Sequence, residues 1–193
     1  NGRYHVLTQG LENGQKIDKV LKVESISRAL TAQNDWPEIV LFAQSPDLRY
    51  VFSNVTEVGL VLDPADRFTQ QAPASFPAKL LWLLKARFEA QQPGLTIIPC
   101  ELIERNGDLL CSLILEQARL WGFGTDLQDW LVSENTWCNT LVDRIVSGLP
   151  AVHPLLAEDQ LLAMAEPYAL WAIESPRGLA GFIEHPQIVQ TRK

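Results

Sequence analysis

Short hydrophobic runs alternate with longer amphipathic segments along this chain, and the alternation predicts an α/β protein. The clearest helix is predicted over residues 77–90. Its apolar face carries Leu80, Leu84 and Phe88 at helical spacing, whereas Arg87 falls outside that face and is predicted to be available to solvent. β-Branched runs bounded by Pro, Gly and Asn predict strands before and after this helix. The predicted strands are 4–9, 16–24, 49–53, 58–62, 95–98, 140–146 and 168–174, and the predicted helices are 35–43, 77–90, 107–121, 126–133 and 158–166.

Turn and cap residues mark the ends of several of these elements. Gly10–Gly14 predicts a hairpin with a five-residue loop between the first two strands. Asn106 is predicted to cap the third helix and Gly122 to end it. Thr125 and Gln128 have the spacing of a capping box at the start of the fourth helix.

Strand, helix, strand and helix follow one another over residues 49–121, and this βαβα order implies a parallel sheet with helices packed on it. Open α/β sheets bind their ligands just beyond the carboxyl ends of the strands. Polar residues follow both strands of the unit, with Thr56 and Glu57 after the first and Glu101 after the second. We therefore expect the chemistry of the protein at this edge of the sheet.

Size, charge and cysteine content narrow the classes of protein and partner. The 193 residues fit one domain, with 47% hydrophobic and 20% charged residues, as in an ordinary soluble globular protein. The formal charge of −7 argues against a nucleic acid or an anionic membrane as partner, because both require basic patches. Cys100, Cys111 and Cys138 lack CxxC spacing, which favours a reducing, cytoplasmic compartment. The three histidines show no HExxH pattern, so no zinc site is expected.

Each candidate polar residue also has a purely structural interpretation. Thr56 and Glu57 could simply form a turn, and Glu101 could cap nearby backbone groups. Asn106 and Gly107 could be a turn and a helix cap. The sequence alone leaves these interpretations open beside the functional one.

Asp143 is the most unusual of the polar residues, because it lies inside the apolar run TLVDRIV. A carboxylate is costly to bury unless it is paired or hydrogen-bonded, so either a buried ion pair or a functional acid would explain it.

Cys100 is interpreted as a packed thiol rather than a nucleophile, since no histidine is placed beside it. The stretch Gly122-Phe123-Gly124 is rejected as a dinucleotide loop because it follows a helix and lacks a third glycine.

Four stretches carry a family resemblance. They are, in chain order, VFSNVTEVG (51–59), PCELIERNG (99–107), NTLVDRI (139–145) and EPYALW (166–171). Together they resemble the mannitol dehydrogenase family, the polyol-specific long-chain dehydrogenases/reductases. The resemblance implies a Rossmann-like, mostly parallel sheet with helices on both faces, within a larger two-domain enzyme. Residues 1–165 would then be a partial Rossmann-type nucleotide-binding domain, and residues 166–193 a strand segment leading toward a C-terminal helical domain that is absent.

The resemblance also implies an activity, namely metal-independent hydride transfer between NAD(H) and a keto-hexuronate, with its aldonate as product, as in the tagaturonate/altronate pair. Asn54, Thr56 and Glu57 would lie near the cofactor. Asp143 would border the substrate and the reacting centre as the catalytic residue. The residues expected on the substrate side are Glu101, Asn106 and Asn139.

Two family features are not found in the chain. The asparagine that often helps to hold the developing oxyanion aligns with Leu102, which cannot donate a hydrogen bond. The glycine-rich phosphate loop is expected before Asn1, and the Lys-x4-Asn-x2-His motif, whose lysine is the general acid/base, after Lys193. The 193 residues are therefore expected to be an incomplete part of the enzyme, inactive by themselves.

Two other functions compete with this interpretation. Glu57 and Glu101, at successive strand ends, could be the paired carboxylates of a glycoside hydrolase. The chain could also be a non-catalytic α/β binding module. The oxidoreductase interpretation requires Glu57, Glu101 and Asp143 to converge on one rim of the sheet. The exact sugar, the choice between NAD and NADP, and the oligomeric state are left open.

Overall fold

The computed structural model describes residues 2–179, 181–182 and 184–192, with the side chains of Glu57 and Arg192 excepted. The strands are β1 (Tyr4–Glu12), β2 (Gln15–Val23), β3 (Tyr50–Ser53), β4 (Thr96–Pro99), β5 (Thr136–Trp137), β6 (Asn139–Asp143), β7 (Val146–Gly148), β8 (Ala163–Ala165), β9 (Leu170–Ser175) and β10 (Ile188–Arg192). The helices are α1 (Trp36–Ala43), α2 (Phe76–Glu89), α3 (Asn106–Leu120) and α4 (Thr125–Ser133), with short 3₁₀ helices at Glu57–Gly59 and Pro154–Ala157.

The chain divides into two compact units, and each is made of two separate stretches. The first unit extends to Ala29 and resumes at Asp143–Leu170, and the second comprises Leu30–Val142 and continues from Trp171. These divisions differ from the predicted boundary between residues 165 and 166, which concerns the longer enzyme and stays a prediction.

The second unit contains the predicted βαβα arrangement. Strands β3, β4 and β5 pair in this order and run parallel, with Val51 opposite Ile97 and Ile97 opposite Trp137. Helix α2 connects β3 to β4, and α3 follows β4, so the parallel topology predicted over residues 49–121 is confirmed. A second sheet has the order β10-β9-β6, and β9 and β10 are parallel. The strand predicted at 168–174 is therefore β9, and β10 follows it in the chain.

The core of this unit lies between the sheet and the helices α2, α3 and α4. Ile97 packs with Leu81 and Leu84 of α2 and with Leu110 and Ile114 of α3, and all five side chains are fully buried. Each such side chain contributes roughly 1.5–3 kcal/mol through removal from water. The next residue, Ile98, points to the other face of β4, because successive strand residues alternate. There it packs with Cys138 and Ile173.

Two glycines, one before β4 and one after it, allow the backbone to approach neighbouring backbone closely. A Cβ on Gly107, at the start of α3, would lie 2.1 Å from the carbonyl oxygen of Cys138. A Cβ on Gly94, just before β4, would lie 2.1 Å from the carbonyl oxygen of Glu134. Any other residue at Gly107 would push α3 away from Cys138, which lies between β5 and β6, so this glycine lets the start of the helix approach the backbone there.

The first unit is built on a longer hairpin than predicted. Asn13 and Gly14 form a two-residue turn with φ angles of 51° and 77°, and Glu12 pairs with Gln15. The predicted five-residue loop over Gly10–Gly14 is therefore wrong. Asn-Gly supplies the two positive φ angles of the type I′ turn that matches the strand twist, so pairing continues up to the turn. Parallel pairing of β1 with β8 and antiparallel pairing of β8 with β7 complete this sheet.

Three other local predictions are also wrong. The strand predicted at 58–62 is replaced by the 3₁₀ helix Glu57–Gly59, and the helix predicted at 158–166 by β8. The capping box does not form, because Gly124 is the N-cap of α4 and the Gln128 side chain donates to the carbonyl of Phe123 at 2.9 Å. Thr125 is already the first residue of the helix.

Candidate functional site

The segments that leave β3 and β4 are joined by the side chain of Glu101. One carboxyl oxygen accepts a hydrogen bond from the Ser53 hydroxyl at 3.0 Å, and the other accepts from the backbone N–H of Val55 at 2.9 Å. The backbone N–H of Cys100 also donates to the Ser53 carbonyl at 2.8 Å. Glu101 is 3% exposed and Ser53 is 4% exposed, so this contact is inside the protein. Parallel pairing brings the two strand ends together, as the sequence analysis expected.

Asn106 connects the same loop to β6. Its side-chain amide donates to the carbonyl of Glu101 at 2.9 Å and to those of Pro99 and Thr140, both at 3.2 Å. Its side-chain oxygen accepts from the N–H of Thr140 at 2.9 Å. The side chain is fully buried, and it does not cap α3, so the cap predicted for it is wrong. Arg105, at a φ of 54°, occupies the cap position instead.

Asn139 supplies the cap that Asn106 does not. Its side-chain oxygen accepts from the backbone N–H of Asp108 at 3.0 Å, in the first turn of α3. Its amide donates to the carboxylate of Glu174 on β9 at 3.0 Å and to that of Asp108 at 3.3 Å. A helix N–H that has no intrahelical partner is thus satisfied by a side chain from β6. Sequence spacing offers no signal for this pairing, since the partners are 31 residues apart.

The other predicted site residues are more open. Asn54 and Thr56 are exposed, on either side of the anchored Val55. Glu57 begins a 3₁₀ helix, and its side chain lies outside the described part of the structure. Asp143 ends β6 and is exposed, so the buried ion pair considered for it is excluded. Asp143 belongs to the first compact unit and Glu101 to the second, and their convergence on one rim stays a prediction.

A cleft of about 450 Å³ adjoins the turn after β3. On one side it is lined by Val55, Val58 and Gly59, and on the other by Phe76 and Lys79 from the first turns of α2. Hydrophobic walls with a few polar groups are usual for the site of a small molecule or cofactor. Phe76 and Lys79 were not among the predicted site residues. Ser75 before Pro77 is nevertheless a signal for a helix start at this place, and the Ser75 hydroxyl does accept from the N–H of Ala78.

The three cysteines carry no disulfide and behave as packed thiols. Burial, with a smaller effect from the charge of Glu101, raises the pKa of Cys100 to about 11. Burial, with a smaller effect from Asp108, raises the pKa of Cys111 to about 11. Burial raises the pKa of Cys138 as well. The thiolate, which is the nucleophile, is therefore suppressed at neutral pH, in agreement with the interpretation of Cys100 as a packed side chain.

Alkylation with iodoacetamide tests this conclusion. At pH 8 the native protein should label at Cys100 roughly a hundredfold more slowly than the same protein unfolded in urea, because its thiolate fraction is lower by about two powers of ten. Labelling should accelerate as the pH rises toward the elevated pKa. Peptide mapping by mass spectrometry gives the rate at each cysteine. Equal rates in the native and unfolded protein would contradict the burial of this thiol.

Within the ranges the structure describes, no group of three or more His, Cys, Asp and Glu side chains is placed to hold a metal ion. Independence from metals stays a prediction of the family resemblance. Of the helices in these same ranges, none combines the length and the apolar character needed to cross a membrane.

The parallel βαβα unit, with its polar groups gathered beyond β3 and β4, defines the class of the chain as a Rossmann-like α/β domain. The model of the mannitol dehydrogenase Rossmann domain matches residues 2–185. The chain belongs to the mannitol dehydrogenase family, as its four stretches predicted.

Curated relatives support the same assignment. The chain is 41% identical over 181 residues to an altronate oxidoreductase of Halalkalibacterium halodurans, covering 89% of this chain and 35% of that protein. It is 37% identical over 186 residues to that of Bacillus subtilis and 39% identical over 191 residues to that of Yersinia enterocolitica. These alignments cover 91% and 93% of this chain, and 39% and 40% of the two relatives. The chain thus spans well under half the length of the relatives it matches.

Solved structures confirm the fold. The mannitol 2-dehydrogenase of Pseudomonas fluorescens, in a ternary complex with NAD and D-mannitol, superposes with a TM-score of 0.76 at 20% identity, over 98% of this chain and 42% of that one. A substrate-free D-sorbitol dehydrogenase gives a TM-score of 0.74 at 19% identity over the same shares. The predicted Rossmann-like α/β class, with a mostly parallel sheet, is confirmed.

Proposed function

We propose that this chain is part of an NAD-dependent oxidoreductase that interconverts a keto-hexuronate and its aldonate, of the tagaturonate and altronate type. The observation that carries the proposal is the relationship to altronate oxidoreductases at 37–41% identity over 89–93% of the chain. Because those relatives extend well beyond the aligned region, the activity is proposed for the longer polypeptide. The 193 residues alone are expected to be inactive.

The residues after β3 fit a cofactor. Asn54 and Thr56 expose polar side chains at the carboxyl end of a parallel strand, the usual ligand position in open α/β sheets. The adjoining cleft offers the apolar surfaces of Val55 and Val58. Asn54, Thr56 and Glu57 would hold the NAD, which supplies the hydride chemistry when bound.

The residues of β6 and the loop after β4 are proposed for the substrate side. Asp143, exposed at the end of β6, would border the reacting centre, where a carboxylate can orient a hydroxyl or exchange its proton. Asn106 and Asn139 have most of their hydrogen-bonding groups engaged within the protein, so their contribution would be to hold the strand ends in place. A cytoplasmic location belongs to this proposal and is supported by the three unpaired cysteines.

Enzyme kinetics on the longest natural polypeptide that contains these residues test the proposal. NADH should be oxidised on addition of tagaturonate, as followed by its absorbance, and more slowly with fructose as the comparison substrate. The isolated 193-residue chain should give no oxidation under the same conditions. Oxidation with fructose but not with any keto-hexuronate would refute the substrate class. No NADH binding or turnover would refute the oxidoreductase and favour a non-catalytic module.

The glycoside hydrolase alternative is weakened by the position of Glu101. A glycosidase carboxyl group must face the sugar in an open cleft. The carboxyl group of Glu101 is instead buried, and both of its oxygens accept hydrogen bonds from within the protein. Membership of the mannitol dehydrogenase family also favours hydride transfer over glycoside hydrolysis.

A further inference from the structure

Glu101 is a charged residue type that is almost fully buried, and such residues need full compensation. Its two donors, the Ser53 hydroxyl and the Val55 N–H, lie 48 and 46 residues away in the sequence. Both donors belong to the turn that leaves β3. The carboxyl group is therefore committed to this turn and is not turned toward the cleft or the solvent.

The turn held by Glu101 presents two exposed polar side chains. Asn54 and Thr56 lie directly before and after Val55, whose N–H is fixed. The Thr56 carbonyl accepts from the N–H of Gly59 at 2.6 Å, which closes the 3₁₀ helix that follows. Fixing the Val55 amide thus fixes the direction in which its two neighbours point.

Glu101 is itself held firmly. Its carbonyl accepts from the Asn106 side chain at 2.9 Å and from the N–H of Ile103 at 2.8 Å. Asn106 in turn is bonded to the backbone of Thr140 on β6. The carboxyl group thus extends from a loop that is tied to two strands, and it is suited to holding the turn after β3 in one position.

We infer that Glu101 is a positioning residue that fixes the segment 53–59, and with it the side chains of Asn54 and Thr56, in a binding-ready conformation. It acts through the turn and not by touching substrate, which differs from the substrate-binding role expected from the sequence. The identity of the ligand, NAD(H), rests on the proposed function. The inference that Glu101 fixes the segment 53–59 rests only on its hydrogen bonds with Ser53 and Val55.

Two substitutions of Glu101 separate positioning from a role of the charge. In Glu101→Gln the amide oxygen can still accept from Val55 N–H while the amide nitrogen donates to the Ser53 hydroxyl, so the geometry survives and the charge is lost. Glu101→Ala loses both bonds. A positioning role therefore predicts that Gln restores what Ala loses, whereas a residue that binds substrate through its charge would be impaired by both.

The first experiment measures the segment without any ligand. Hydrogen–deuterium exchange of the full-length protein, analysed on the peptide that contains Val55, should be at least about tenfold faster in Glu101→Ala than in wild type, because the amide loses its acceptor. Glu101→Gln should exchange within about twofold of wild type. The control Glu104→Ala, at an exposed position of the same loop, should match wild type. Unchanged exchange in Glu101→Ala would overturn the inference.

The second experiment measures the consequence for the ligand. The Kd for NADH, from fluorescence titration, should rise about tenfold in Glu101→Ala and return to within about threefold of wild type in Glu101→Gln, because a disordered site must be ordered on binding. Ser53→Ala removes one of the two hydrogen bonds to Glu101, so its Kd for NADH should lie between those of the two Glu101 variants. It replaces Glu101→Ala in the comparison if that variant does not fold. Equal weakening by Gln and Ala would overturn the positioning role. Absence of NADH binding by the wild type would refute the proposed function, while the exchange experiment still decides whether Glu101 fixes the segment.

Discussion

Replacing Asp143 with asparagine is expected to lower kcat for keto-hexuronate reduction about 100-fold, within the range that a single acid–base or polar catalytic group contributes. Asn keeps the size and the hydrogen-bonding oxygen of the side chain but removes the negative charge and the exchangeable proton. The loss should therefore appear in kcat, whereas the Kd for NADH should stay within about twofold of wild type. Steady-state kinetics and a fluorescence titration on the full-length protein give both values.

The exposure of Asp143 makes this test clean. An exposed side chain outside the core changes stability by only about 0.5 kcal/mol when substituted, so lost turnover would not reflect unfolding. Asp129→Asn, at an exposed position of α4, removes the same charge elsewhere and should leave kcat unchanged. Wild-type kinetics in Asp143→Asn would remove this residue from the reacting centre and with it one of the three positions expected to converge there.

Local periodicity explains which parts of the fold could be predicted. The spacing of Leu80, Leu84 and Phe88 predicts the inner face of α2 from a single helix, and the β-branched run before Pro99 predicts a buried strand. Their order along the chain then dictates parallel pairing, because strands joined through a helix run in the same direction. The end of β1 was not predicted in this way: the strand was expected to stop at residue 9, and its last three residues are exposed, so its continuation to Glu12 follows only from pairing with β2 across the Asn13–Gly14 turn.

The sequence indicated which polar residues to consider for the candidate site, but not how they are arranged. Glu101 follows β4, Asn106 is the first residue of α3 and Asn139 is the first residue of β6. What the sequence could not show is where their side chains point. Each is bonded to groups 31 to 48 residues away, and such pairings depend on the assembled fold. The predicted cap at Asn106 is wrong for this reason, because the side chain that accepts from the first turn of α3 is that of Asn139 on β6.

For Arg87 the helical pattern gave a wrong prediction, and substitution of this residue has the largest expected effect on stability. The pattern of α2 predicted an exposed side chain, yet Arg87 is 1% exposed. Its guanidinium donates to four backbone carbonyls, one at the end of α1, two in the segment between α1 and β3, and one in the loop before β4. The acceptors are Ala43 and Ser45, both at 2.8 Å, Leu48 at 3.0 Å and Pro93 at 2.6 Å. A planar group with five fixed donors can satisfy such a set, and this explains why an arginine is buried here.

Arg87→Met should therefore lower the free energy of unfolding by about 3 kcal/mol or more, because it leaves four carbonyls without the charged donor that compensated their burial. Arg87→Lys should recover part of this loss, since an ammonium keeps the charge but has fewer donors and no planar fork. Arg119→Met, at an exposed position of α3, provides the matched control and should change stability by no more than about 0.5 kcal/mol. Chemical denaturation of the three variants beside wild type gives the comparison. A cost for Arg87→Met as small as that of the control would mean that these carbonyls find water or other donors, and that the segment after α1 does not depend on Arg87 for its place against α2.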